Sequence, residues 1–78
     1  MEMNWDDYIT IDPKVLVGKP VIKGTRLAVE FIVGLLAQGW SEDEIMRNYP
    51  GVNREQIHAC LAYAQDRLSL EHLYAVTA

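Results

Sequence analysis

At Leu27 this chain changes rhythm, and the change limits the folds open to it. Before that point the apolar residues come in runs of three or four. Tyr8-Ile9-Thr10-Ile11 stops at Asp12-Pro13, Val15-Leu16-Val17 closes at Gly18, and Pro20-Val21-Ile22 ends at Gly24-Thr25. Short runs of β-formers between turn residues predict extended arms, a small hairpin or edge strands. Pro20 has no N–H to give to a ladder, which suits an edge.

After Leu27 the spacing is helical. Leu27, Phe31 and Leu35, with Ile32 and Leu36, fall on one face, and Gly39 is a C-terminal stop. Gly34 within this helix costs about 1 kcal/mol against Ala, which predicts close packing of another backbone there. Ser41-Glu42-Asp43-Glu44 is a capping box for a second, short helix that turns Ile45, Met46 and Tyr49 inward and ends at Pro50-Gly51. Asn53, with Gln56 as its partner, caps a third helix whose apolar stripe is Ile57, Leu61, Ala64 and Leu68. A short capped helix, a tight turn and a longer helix have helix-turn-helix spacing. The expected organisation is an acidic leader over 1–8, an extended or β arm over 9–27, a three-helix domain over 28–70 and a tail over 71–78.

A chain of 78 residues buries only about 60–65% of the surface it exposes when unfolded. Half of its residues are apolar, but a lone Cys60 rules out an intramolecular disulfide. Association into a dimer or larger homo-oligomer is the expected supplement to a thin core. The acidic N-terminus, MEMNWDDY, has neither the basic nor the apolar region of a signal peptide, and no apolar run approaches the roughly 18 residues of a membrane span. A cytoplasmic location is expected, with no membrane partner.

Charge is unevenly spread around a net of −4. Met1 to Asp12 holds Glu2, Asp6, Asp7 and Asp12 and no base; Pro13 to Arg26 holds Lys14, Lys19, Lys23 and Arg26 and no acid. From Leu27 on, three arginines face seven acids. The segment Gly18–Arg26, GKPVIKGTR, is not a phosphate loop: five residues separate its glycines, and Thr25 follows the second where a lysine is needed. Two readings of its cations stand. They contact nucleic-acid phosphate from a glycine-rich segment that lets backbone approach closely, or they fold back onto Asp6, Asp7 and Asp12. Turn geometry alone accounts equally well for Gly18, Pro20 and Gly24.

No cofactor or metal is implied. His58 and Cys60 lie two apart on a helix, about 200° around it, and His72 is distant in sequence. Cys60 is expected in the core and His58 half-exposed. So small a chain offers little cleft for paired carboxylates or a nucleophile with its base, so neither an enzyme nor a small-molecule substrate is expected. The third helix is also a poor reader of DNA. With its stripe inward, its outer face carries Glu55, Ala59, Ala62 and Asp66, and only Arg54 and His58 beside that face can donate to bases or phosphates. Such a face suits a protein partner.

ITIDP at Ile9–Pro13, GKPVIKGTR at Gly18–Arg26, GLLAQGWS at Gly34–Ser41, Glu44–Pro50 and CLAYA at Cys60–Ala64 together resemble domain-of-unknown-function family 433 (DUF433), small proteins similar to antitoxins of VapB type. The resemblance implies a mostly α fold: a tri-helical, homeodomain-like helix-turn-helix after a β-containing N-terminal arm. It also implies a PIN-like ribonuclease toxin as partner and operator DNA bound by a dimer that represses its own promoter. The chain departs from the family at Leu27-Ala28, where Ile-Pro is usual, and in its short tail. The expected roles are therefore nucleic-acid contact by Lys14, Lys19, Lys23 and Arg26, with Arg54 and His58, and partner contact by Glu55, Ala59, Ala62, Asp66 and Glu71. The alternative is a dimeric protein-interaction module that binds no nucleic acid.

Overall fold

The computed structural model describes residues 4–75, with side chains described as far as Ser69. Strands β1 (Ile9–Ile11) and β2 (Pro20–Ile22) pair antiparallel, with Ile9 opposite Ile22 and Ile11 opposite Pro20. Three helices follow: α1 (Val29–Ala37), α2 (Glu42–Asn48) and α3 (Arg54–Ala75). The fold is mostly α behind a small β arm. α3 continues through residues 71–75, where a tail was expected.

Local chemistry sets most of these boundaries. The Ser41 hydroxyl accepts from the Glu44 N–H at 3.1 Å and Glu44 Oε1 accepts from the Ser41 N–H at 2.8 Å, closing the capping box at the start of α2. Asn53 and Gln56 make the same exchange ahead of α3, at 2.8 Å each way. Gly39, with φ of +98°, ends α1.

The GKPVIKGTR segment is explained largely by turns. Gly24 takes φ of +80°; after it the Thr25 hydroxyl donates to the Ile22 carbonyl at 2.8 Å and accepts the Leu27 N–H at 3.0 Å. Ile22 and Leu27 are bonded directly as well, and Val21 bridges Ala28, so β2 delivers the chain straight into α1. Val15-Leu16-Val17 is not the extended run that its composition predicts. Asp12 accepts the Lys14 N–H on its side chain and the Val15 N–H on its carbonyl, both at 2.9 Å, starting a tight turn. Leu16, Val17 and Gly18 then all take positive φ, at 48°, 56° and 81°.

The core joins the arm to all three helices through Ile9 and Ile22, Val29, Ile32 and Leu35, Ile45, Val52, and Ile57 with Cys60. No buried polar side chain occurs among the described residues. Gly34 does not receive a neighbouring backbone: a Cβ there would meet nothing within 4 Å. α3 departs most from expectation. Ile57 is buried as predicted, but Leu61 and Leu68 are 40% and 61% exposed, while Ala59 and Cys60 are fully buried. The inward face is rotated by roughly a quarter turn from the predicted stripe.

Candidate functional site

The arm divides its cations between two ends. Lys14 and Lys19 sit in the loop between β1 and β2; Lys23 and Arg26 follow β2, where the Lys23 N–H bonds the Tyr8 carbonyl. At about 3.3 Å per strand residue, the two pairs lie roughly 10 Å apart along the ribbon. Lys19 Nζ pairs with Glu30 Oε1 at 2.8 Å, both side chains being mostly exposed. Lys14, Lys23 and Arg26 make no ion pair among the described residues, so the fold-back onto Asp6, Asp7 and Asp12 does not occur there. Asp12 takes the Lys14 backbone, not its ammonium.

Arg54 and His58 are engaged by acids of α2. The Arg54 guanidinium spans Glu42 and Asp43, bonding Glu42 through Nη1 and Asp43 through Nη2, the latter at 2.8 Å. His58 Nε2 lies 3.1 Å from Glu42 Oε2. The hydrogen bonds that Arg54 donates, to Asp43 first and then to Glu42, raise its pKa further above its ordinary value. The same three contacts tie the start of α3 to α2, and half of the His58 side chain stays exposed, as expected.

The outer face predicted for α3 does not survive as a unit. Ala59 is fully buried and Ala62 half-buried, because the helix is rolled toward α1 and the arm. Glu55 and Asp66 are exposed, and Asp66 Oδ2 accepts the indole N–H of Trp5 at 2.6 Å. The Trp5 ring meets Tyr63 edge-on at 4.8 Å, so the acidic leader is fastened to α3. The Glu71 and His72 side chains lie outside the described residues.

The surface that the sequence reading missed lies between α1 and α3. Val33, Leu61, Ala64, Gln65, Leu68 and Ser69 line an open, mostly apolar groove of about 460 Å³. A smaller hollow of about 220 Å³ adjoins it through Val33 and Ala64, bounded by Pro20, Val29, Glu30 and Tyr63. Another shallow hollow, about 420 Å³, runs beside the strained turn between Leu16, Val17 and Phe31. The exposure of Leu61 and Leu68 was hidden because α3 is apolar on two sides, and spacing alone cannot say which side its own domain covers.

Cys60 is in the core as expected, and burial pushes its thiol up to about 12, far from a thiolate at neutral pH. Among the described residues no group of three or more His, Cys, Asp or Glu side chains is placed to hold a metal. No helix among them is long and apolar enough to cross a membrane.

A small two-stranded antiparallel arm leading into three helices is the class of fold these residues define. Residues 9–64 match the family described as "Protein of unknown function (DUF433)", and the chain belongs to that family. It resembles a DUF433 member protein from Anabaena variabilis, solved by crystallography, with 32% identity and a TM-score of 0.71 over 86% of this chain and 67% of that one. It is also 30% identical over 59 residues to the uncharacterized protein y4eO of Sinorhizobium fredii, covering 76% of this chain. The chain spans 27% of the length of that relative.

Proposed function

We propose that this protein works by contact, without chemistry of its own, as an antitoxin-type regulator. On this reading it is a dimer that binds and neutralises a PIN-like ribonuclease and touches its operator DNA through the arm. The observation that supports it is the display of Lys14, Lys23 and Arg26 on tight turns of an acidic protein, exposed and with no ion pair among the described residues. Exposed cations at loop tips suit phosphate, which positions a protein on DNA without reading sequence. The order α2, a turn over 49–53, then α3 keeps the rhythm of a helix-turn-helix. Arg54 and His58 are nevertheless spoken for by Glu42 and Asp43, so the arm is the better contact. Glu55 and Asp66, with Asp6 and Asp7 of the leader, supply the carboxylates that would meet a cationic RNA path on the toxin.

The test has two arms. A mobility-shift titration on the upstream DNA, at about 50 and about 200 mM salt, should show binding that weakens steeply with salt and is lost in Lys23→Ala with Arg26→Ala. Co-expression with the PIN-like protein of a neighbouring reading frame should yield a complex that Glu55→Lys weakens. A second reading, a dimeric interaction module without nucleic-acid binding, draws support from the Lys19–Glu30 pair and the division of the cations. Capture of the toxin with no shift at low salt selects it. Failure of both arms refutes the proposal.

A further inference from the structure

α3 has two apolar sides, and its own domain uses one. Ile57, Ala59 and Cys60 are sealed in the core, and Tyr63 and Ala64 are half-buried beside them. On the other side Arg54, His58, Leu61, Gln65 and Leu68 follow steps of four, three, four and three residues, and all five are exposed. This is the spacing of a heptad seam, the strip one helix lays against another. Arg54 and His58 are held by α2, which leaves Leu61, Gln65 and Leu68 open along the groove with Val33. The flanking residues are Ala62, Ala64 and Ser69, small enough for a second helix to come close.

The far half of α3 has a second peculiarity. Gln65, Asp66, Arg67, Leu68 and Ser69 are all exposed, so every side of the helix meets solvent there, yet the backbone stays helical to Ala75. Isolated helices shorter than about 12–15 residues are marginal in water, because tertiary packing supplies most helical stability. The stretch 65–69 offers a helical surface for something to pack on.

We infer that a second copy of this chain packs there, with the two α3 helices antiparallel across a two-fold axis near Gln65. The inference rests on the dimer assumed under the proposed function. Charge decides between occupants. A two-fold axis sets each patch against itself, so a charged seam would meet its like. Leu61, Ala62, Ala64, Gln65, Leu68 and Ser69 carry no charge at all. A cationic ribonuclease would call for carboxylates, and this strip has none. Gln65 also lies at the middle of the open strip from Leu61 to Ser69, so an axis there sets that strip against its own copy over about 12 Å. Parallel pairing would set each Arg54 beside its own copy, whereas antiparallel pairing separates them and opposes the helix dipoles.

Sedimentation equilibrium on the intact chain should give twice its 8.9 kDa mass. The double variant Leu61→Glu with Leu68→Glu changes two exposed sites, so circular dichroism should still show a folded chain, while the dimer dissociation constant should rise at least about a hundredfold from like-charge contact. Gln65→Cys should link to its own copy through a short bismaleimide, the buried Cys60 staying unmodified, while Glu55→Cys stays unlinked. A monomeric wild-type chain at about 100 μM overturns the inference, and so does a double variant that remains dimeric. Self-linking of Leu61→Cys without Gln65→Cys overturns the antiparallel arrangement. A double variant that stays dimeric but no longer captures the PIN-like protein shows that the groove holds that partner: the inference then falls while the proposed function stands. An intact dimer that binds neither toxin nor DNA removes the proposed function and leaves the inference.

Discussion

Replacing Thr25 by Val separates a structural from a ligand-binding role for the GKPVIKGTR segment. The substitution keeps the β-branched shape and removes one oxygen. That oxygen now donates to the Ile22 carbonyl and accepts the Leu27 N–H, at 2.8 and 3.0 Å in a partly buried turn. The two losses are unequal. The Ile22 carbonyl keeps the Thr25 N–H at 3.0 Å, but the Leu27 N–H loses its acceptor. One unsatisfied, partly buried N–H costs about 1–3 kcal/mol, and half-burial puts the expectation near the lower end, about 1–2 kcal/mol. For a domain of this size that lowers Tm by roughly 5–15 °C. Thr25→Ser retains the hydroxyl and should recover most of the loss. Thermal and urea unfolding followed by circular dichroism would measure both variants, with an unchanged urea slope confirming the same unfolding reaction. If Thr25→Val is as stable as the wild type within about 0.5 kcal/mol, yet loses DNA or toxin binding, the hydroxyl serves a ligand and the turn argument is wrong.

Gly34→Ala should stabilise the protein by about 0.5–1 kcal/mol, since α1 gains helix propensity and the new methyl meets nothing within 4 Å; destabilisation in the same urea assay would reveal a backbone against that face. Hydrogen bonds from the Ser41 backbone and then its hydroxyl hold the Glu44 carboxyl below its ordinary pKa. A depressed folded-state value means that the capping box contributes above the ordinary carboxylate pKa and fades as pH falls through the folded one. The stability gap between wild type and Glu44→Ala should therefore narrow from pH 7 to pH 3, and a gap independent of pH contradicts the assignment. Cys60 should resist a disulfide reagent at pH 8 in the native protein and react fully in urea, because burial both hides it and suppresses its thiolate; rapid native labelling would place it at the surface.

Short-range chemistry was readable in the sequence. Ser41 with Glu44, Asn53 with Gln56, and Gly39 mark helix ends because the groups that cap a helix sit within three residues of one another. The β1–β2 pairing was half-visible: the runs at Ile9 and Val21 became strands, but Val15-Leu16-Val17, equally rich in β-formers, became a turn because Asp12 captured the amides that follow it. The cation-rich arm was legible as composition, and not as two ends of a ribbon with Lys19 already matched to Glu30.

Residues thus determined by themselves where α1 ends and where α2 and α3 begin, that an arm precedes them, and that Cys60 belongs in the core. Only the tertiary structure decided which way α3 faces. From Ile57 to Ala64 nearly every position except His58 is apolar, so helical periodicity has no clear minimum. What orients the helix is remote: Trp5, sixty-one residues from Asp66 in sequence, donates to it and packs on Tyr63, while Ile57 and Cys60 share one core with residues of β1 and α1. Interactions of that range carry no signature in the local spacing, which is why Leu61 and Leu68 came to light as surface only once the chain was folded.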